Sequence, residues 1–198
     1  MSIFVGQKAA DFTASAVMPN NVIEHAFNLE RHAQGRYCML MFYPLDFTFV
    51  CPSELVSLNH NLEEFEKRNC LVLSVSVDSH FTHLAWKNTD LNNGGISNVQ
   101  FPMISDLKKE IASAYGVLNS DGVAVRGTFI MDKSFIIRHI LINDMPLGRN
   151  LKESLRILDA MEHHSKHGEV CPADWVKGEL AMSPTAQGVK DYMGKSKL

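Results

Sequence analysis

"YCMLMFYPLDFTFVCPSELVSL", Tyr37 to Leu58, reads as a strand, a loop and the start of a helix. The run from Tyr37 to Tyr43 is continuously apolar and of strand length, which predicts a strand buried on both faces. Further on, Leu55, Leu58, Leu62 and Phe65 recur at helical spacing. Pro52 suits the first helical position, where a missing N–H costs nothing, and Ser53 and Glu54 suit a first turn. The helix is therefore predicted to begin at Cys51.

The pattern repeats along the chain. "CLVLSVSVD" (Cys70 to Asp78) is a second buried strand, "SHFTHLAWKNT" a short helix and "NNGGISN" a loop. "FPMISD" is a short extended piece, and "LKKEIASAYG" is a helix with Gly116 at its C-terminal stop. "VAVRGTFIMD" and "FIIRHILIND" are β-branched-rich runs with the pattern of a hairpin, which makes the sheet mixed. "NLKESLRILDAMEHHSKHG" is the last long helix, with Leu151, Leu155, Leu158 and Met161 on one face and Gly168 at the stop. The order is β-α-β-α-(β)-α-β-β-α, an α/β domain over 1–168. From 169 to 198 no long periodic segment remains, and this stretch reads as an arm ending in a short helix that Ser183 and Pro184 could cap.

Composition narrows the chemistry. With 198 residues the chain can bury one sizeable core without staples. A net charge of -3 and no dense Lys/Arg cluster argue against a nucleic-acid partner. No run of about 18 apolar residues predicts a membrane span. The N-terminus lacks a secretory pattern, so a reducing, cytoplasmic setting is expected, and four cysteines are too few for a disulfide scaffold. Cysteine here is core filler, metal ligand or redox group. The spacing 38, 51, 70, 171 contains no C-x₂₋₄-C pair and disfavours zinc.

Cys51 stands out. A cysteine at a helix N-terminus can have its pKa lowered into the range of about 3.5 to 7.5, and only the thiolate is the nucleophile. Thr48 is close enough in sequence to turn its hydroxyl toward the sulfur, and Pro44 can shield the site without adding a donor. A lone cysteine is more often an inert small hydrophobe, so position alone does not decide its role.

"YPLDFTFVCPSE" resembles the active-site signature of the typical two-cysteine peroxiredoxins, Pro-x-x-x-Thr/Ser-x-x-Cys, through Pro44, Thr48 and Cys51. "SVSVDSHFTHLAWKNT", "RGTFIMD", "INDMPLGRN" and "HGEVCPADW" resemble further segments of that family, in the same order along nearly the whole chain. The resemblance implies a thioredoxin-like fold with a C-terminal arm. It assigns Cys51 as the peroxidatic cysteine, Thr48 as a hydroxyl on thiolate and peroxide, and Arg126 as the arginine that stabilises the thiolate and polarises the O–O bond. Glu54 and Arg149 match the residues that hold that arginine, and Cys171 matches the resolving cysteine. The family places this last thiol on a partner subunit. The helix beginning at Cys51 would then unwind locally to bring the two Cα atoms within about 6 Å.

By the same resemblance the protein needs no metal, haem or flavin of its own. It would reduce hydrogen peroxide and small organic hydroperoxides, take electrons from thioredoxin or a flavoprotein disulfide reductase, and form dimers that assemble into a decameric ring. Members prone to overoxidation carry Gly-Gly-Leu-Gly and Tyr-Phe motifs. Here Gly94-Gly95-Ile96-Ser97 and Tyr192-Met193 keep each only in part, which implies intermediate sensitivity.

Two other functions fit such a fold. A protein thiol-disulfide oxidoreductase is disfavoured because Cys51 lacks a C-x-x-C partner. A ring-shaped holdase chaperone or redox relay can coexist with peroxidase activity. Cys38 and Cys70 lie in strand-like runs and are expected to be core packing, as are Trp86 and Trp175. His163 and His167 lie one helical turn apart without an evident third ligand, and a solvated helix end is the better reading.

Overall fold

The structure is a computed structural model that describes residues 3 to 195. The chain divides into two compact units, 1–149 and 150–198.

The first unit is built on a seven-stranded mixed sheet in the order β2-β1-β5-β4-β3-β6-β7. Its strands are β1 (Thr13–Val17), β2 (Ile23–Asn28), β3 (Tyr37–Phe42), β4 (Cys70–Ser76), β5 (Met103–Ser105), β6 (Arg126–Met131) and β7 (Ile137–Asn143). Strands β5, β4 and β3 run parallel to one another, β1 and β6 pair antiparallel on either side of them, and β6 and β7 form the predicted antiparallel hairpin. The central strand β3 is buried throughout, as its continuous apolar run requires. Cys38, Leu40 and Phe42 point into one core with Leu73, Val75, Phe129 and Met131. Met39 and Met41, on the opposite face, are equally buried.

Helices α1 (Leu29–Ala33), α2 (Cys51–His60), α3 (Leu62–Lys67), α4 (His80–Lys87) and α5 (Glu110–Ala114) flank the sheet. Helix α3 packs on β4, and α4 packs on β1 and β5. Ser79 caps α4 by accepting from the Thr82 N–H, and the side chain of Asp106 takes the Ile111 and Ala112 N–H groups in the first turn of α5.

Two readings are corrected. The first strand of the sheet is not at Tyr37: β1, β2 and α1 precede it, and the small residues of "TASAV" carry too little β-branched signal to announce a strand. The single helix read after Cys51 is two, broken at Asn61, whose side chain donates to the Ser57 carbonyl at 2.8 Å and competes with the helical ladder.

The second unit contains α6 (Leu151–His167) and α7 (Ala186–Lys195). Asn150 caps α6, and Gly168 ends it with a φ of 67° that favours glycine. Between the helices the chain makes one antiparallel bridge, Val170 with Met182. His163 is more than a solvated helix end: its Nε2 lies 2.8 Å from a Glu169 oxygen, and its ring is 5.0 Å from that of Trp175, which is buried. Among the described residues no helix is long and apolar enough to cross a membrane.

Candidate active site

The site forms where β3 hands over to α2. Cys51 is the first residue of α2 and is wholly buried, with Pro52 next to it in the first turn. The first backbone N–H groups of a helix have no intrahelical partners, and among the described residues no side chain caps this end, which leaves a positive potential beside the sulfur. The connecting loop includes Pro44, which is buried, and Phe47, held at a φ of 53°.

Thr48 is brought by this loop to within hydrogen-bond distance of the thiol, its Oγ1 lying 2.9 Å from Cys51 Sγ and 2.8 Å from the Leu45 carbonyl. A hydroxyl has one proton, so it can donate to only one of these at a time. With a thiol present, the S–H can donate to Oγ1 while Oγ1 donates to Leu45. With a thiolate, the Thr48 proton turns to the sulfur.

Arg126, the first residue of β6, supplies the second donor. Its Nη1 lies 3.4 Å from Cys51 Sγ and also donates to Glu54 Oε2 at 2.8 Å, while its Nε donates to the Met145 carbonyl at 2.6 Å. Glu54 is a helical turn beyond Cys51 and accepts twice more from the Arg149 side chain and once from its backbone N–H, at 2.8 to 2.9 Å. Arg149 also donates to the Gly127 carbonyl at 2.9 Å. Burial acts to raise the Glu54 carboxyl, but the Arg149 hydrogen bonds and the charges of both arginines outweigh it and hold the group below its ordinary value.

Two buried guanidiniums face one carboxylate, which leaves a net positive charge beside the sulfur. A Cys51 thiolate neutralises it. The arrangement therefore sets fixed donors beside the sulfur, where charge would develop on a bound oxygen.

Cys38 and Cys70 are the packing residues that their strands predicted. Both are buried, and burial pushes the Cys38 thiol up and the Cys70 thiol up to about 12. Trp86 is buried too and donates through Nε1 to the Gly94 carbonyl at 2.8 Å. Gly94 has a φ of 77°, and a Cβ on Gly95 would collide with the Thr89 carbonyl, so the Gly-Gly pair is required by the tightness of this loop. Cys171 belongs to the second unit. It is half-buried with Sγ 3.8 Å from the Ala160 carbonyl, and burial raises its thiol against the lowering effect of Arg156. Tyr192 lies on α7, partly exposed.

Residues 5–140 match the AhpC/TSA family, and residues 160–195 match the C-terminal domain of 1-Cys peroxiredoxin. The chain belongs to the AhpC/TSA family of peroxiredoxins. It is 44% identical over 194 residues to alkyl hydroperoxide reductase C of Buchnera aphidicola, covering 98% of each chain. It is 47% identical to peroxiredoxin-1 of Gallus gallus, over 98% of this chain and 97% of that one. The reduced 2-Cys peroxiredoxin of Plasmodium vivax superposes with a TM-score of 0.94 at 45% identity, covering 97% of this chain and 99% of that one. The thioredoxin-like fold read from the sequence is thus the fold of this peroxiredoxin.

Sequence reasoning missed Asp46 and His83. Both are buried and bonded to each other behind the active-site loop, and the only available signal was a charged residue inside an otherwise apolar segment.

Proposed function

We propose that this peroxiredoxin, a thiol-dependent peroxidase, reduces hydrogen peroxide and small organic hydroperoxides through a two-cysteine cycle on Cys51 and Cys171. The observation that carries the reading is the buried Cys51 sulfur under two donors, Thr48 Oγ1 at 2.9 Å and Arg126 Nη1 at 3.4 Å.

In the first step the Cys51 thiolate attacks one peroxide oxygen. The S–O bond forms as the O–O bond breaks, and sulfur gives two electrons to the leaving oxygen, which departs as hydroxide or alkoxide and takes up a proton. Arg126 and Thr48 donate to the oxygens on which negative charge grows, which lowers the barrier. Glu54 and Arg149 act one step back by fixing the Arg126 guanidinium.

The product is a Cys51 sulfenic acid. The thiol of Cys171 of the partner subunit attacks it, forms an intersubunit disulfide and releases water. A dithiol donor, thioredoxin or a flavoprotein disulfide reductase, then returns two electrons and two protons. This assigns the arm from 169 to 198 to the resolving step and Tyr192 with the Gly94-Gly95 loop to its timing. Homodimers assembling into a decamer, in a reducing cytoplasmic compartment, complete the reading.

The test is peptide mass spectrometry of the reduced protein after one equivalent of hydrogen peroxide, with a non-reducing gel alongside. A rapid Cys51–Cys171 link in a covalent dimer is expected. Cys51 remaining reduced, or oxidising without ever linking to Cys171, would overturn the cycle.

A further inference from the structure

Asp46 lies two residues before Thr48 and is bonded on every side. Its Oδ1 accepts from the Tyr43 hydroxyl at 2.7 Å, its Oδ2 lies 2.8 Å from His83 Nδ1, and its backbone N–H donates to Asp78 Oδ2 at 2.9 Å. His83, from α4, has its other nitrogen 3.2 Å from the Ile104 carbonyl on β5. Neither the His83 nor the Asp46 side chain reaches solvent.

The partners restrict the protons. A backbone carbonyl only accepts, so His83 Nε2 carries a proton. That leaves one further proton between Nδ1 and Asp46 Oδ2, held either as an imidazolium facing a carboxylate or as a neutral imidazole facing a carboxyl group. In both arrangements the pair is neutral overall and every polar atom is bonded, which is what wholly buried polar groups require. Tyr43 Oη, 3.4 Å from Nδ1, and Asp78, held by the Ser76 hydroxyl at 2.7 Å, complete the surrounding polar groups.

The pair ties the loop to α4 and β5 immediately before its strained residue. Phe47 is in the left-handed region, which non-glycine residues avoid, and its ring lies 5.8 Å from Trp86. Directly after it comes Thr48. A loop free to relax Phe47 would rotate the Thr48 hydroxyl away from Cys51.

We propose that Asp46 and His83 are a positioning pair for the peroxide reaction, clamping the Asp46-Phe47-Thr48 turn so that the Thr48 hydroxyl stays on the Cys51 sulfur. This rests on the reading of Cys51 as the reacting thiol. Neither residue touches that sulfur; both act through Thr48.

A double-mutant cycle on the full-length reduced protein tests it, with the second-order rate of hydrogen peroxide reaction followed by stopped-flow tryptophan fluorescence. His83→Leu should lower the rate by about 30-fold, since small misplacements of a reacting group can cost that much. In a Thr48→Val background the same change should cost less than about threefold, because the group it positions is already gone. His83→Gln, whose amide N–H can replace the donor to Asp46, should recover most of the loss. Losses from His83→Leu and Thr48→Val that multiply, or a Thr48→Val protein at the wild-type rate, would overturn the pair. If His83→Leu does not fold, Asp46→Asn in the same cycle decides by the same criterion. A wild-type chain inert to peroxide would overturn the two-cysteine reading and this proposal together, whereas an active wild type with multiplicative losses overturns only the pair.

Discussion

Arg126 is the residue on which most of the site converges, because its guanidinium is shared between the Cys51 sulfur and the Glu54 carboxylate. Arg126→Met should slow peroxide reduction by about 100-fold or more, in line with the loss of one fixed donor at a developing oxyanion. Stopped-flow rates at constant pH would check this, and Thr48→Ser, which keeps the hydroxyl, should stay within a few-fold of wild type. Glu54 is expected to matter for stability as well as for rate. Its carboxyl lies below its ordinary value of 4.5 in the folded state, so its contribution is full above that value and is lost as pH falls through the lower native one. Glu54→Gln should therefore cost roughly 3 kcal/mol at neutral pH, and its deficit against wild type should shrink as pH drops below 4.5. Thermal unfolding of both proteins across that range measures it, and a deficit that does not shrink would contradict the ion-pair account.

At the scale of elements, the decisive contact is the start of α2 against β6 and the loop that follows β7. The helix start was legible, since Pro52 after a cysteine and a run of leucines at helical spacing have few other readings. The arginines were legible only through family resemblance. Arg126 is 75 residues from Cys51 and Arg149 is 95 from Glu54, separations over which no periodicity carries information. The loop that ends in Gly94-Gly95 offers a separate test. Gly95→Ala would drive a Cβ into the Thr89 carbonyl and should destabilise the protein by about 1 to 3 kcal/mol. Chemical denaturation would show it, while a wild-type midpoint would mean the loop has another arrangement. Lys87, buried on α4, shows the opposite kind of surprise. Its ammonium donates to the Met18 and Pro19 carbonyls at 2.7 and 2.9 Å and so ties α4 to the turn between β1 and β2. Nothing in the sequence distinguishes it from the exposed lysines, because its burial is imposed by the distant turn it binds.

For the whole molecule, the proposed cycle links two compact units through chemistry between subunits. Cys171→Ser should abolish the covalent dimer on a non-reducing gel and leave Cys51 to accumulate as sulfinic acid under repeated peroxide, read by mass spectrometry of the Cys51 peptide. A covalent dimer persisting in that variant would mean that another thiol resolves Cys51. Cys38 and Cys70 are poor candidates for that role, since burial raises both thiols and removes them from contact.

The α/β class, the buried central strand, the mixed sheet and the helix that starts at Cys51 follow from the sequence by itself, because each depends on residues that are neighbours along the chain. Local hydrophobic runs and turn residues act within a few positions, and their physical effect is complete before the chain folds over. The early strands β1 and β2 and the Asp46–His83 pair were decided only by the tertiary structure. The short, small-residue strand β1 gains its place from pairing with β2 and β5, and a buried aspartate is stable only once a histidine 37 residues away bonds to it. Burial and charge pairing are properties of the packed molecule, and they settle which of many polar residues become part of the site.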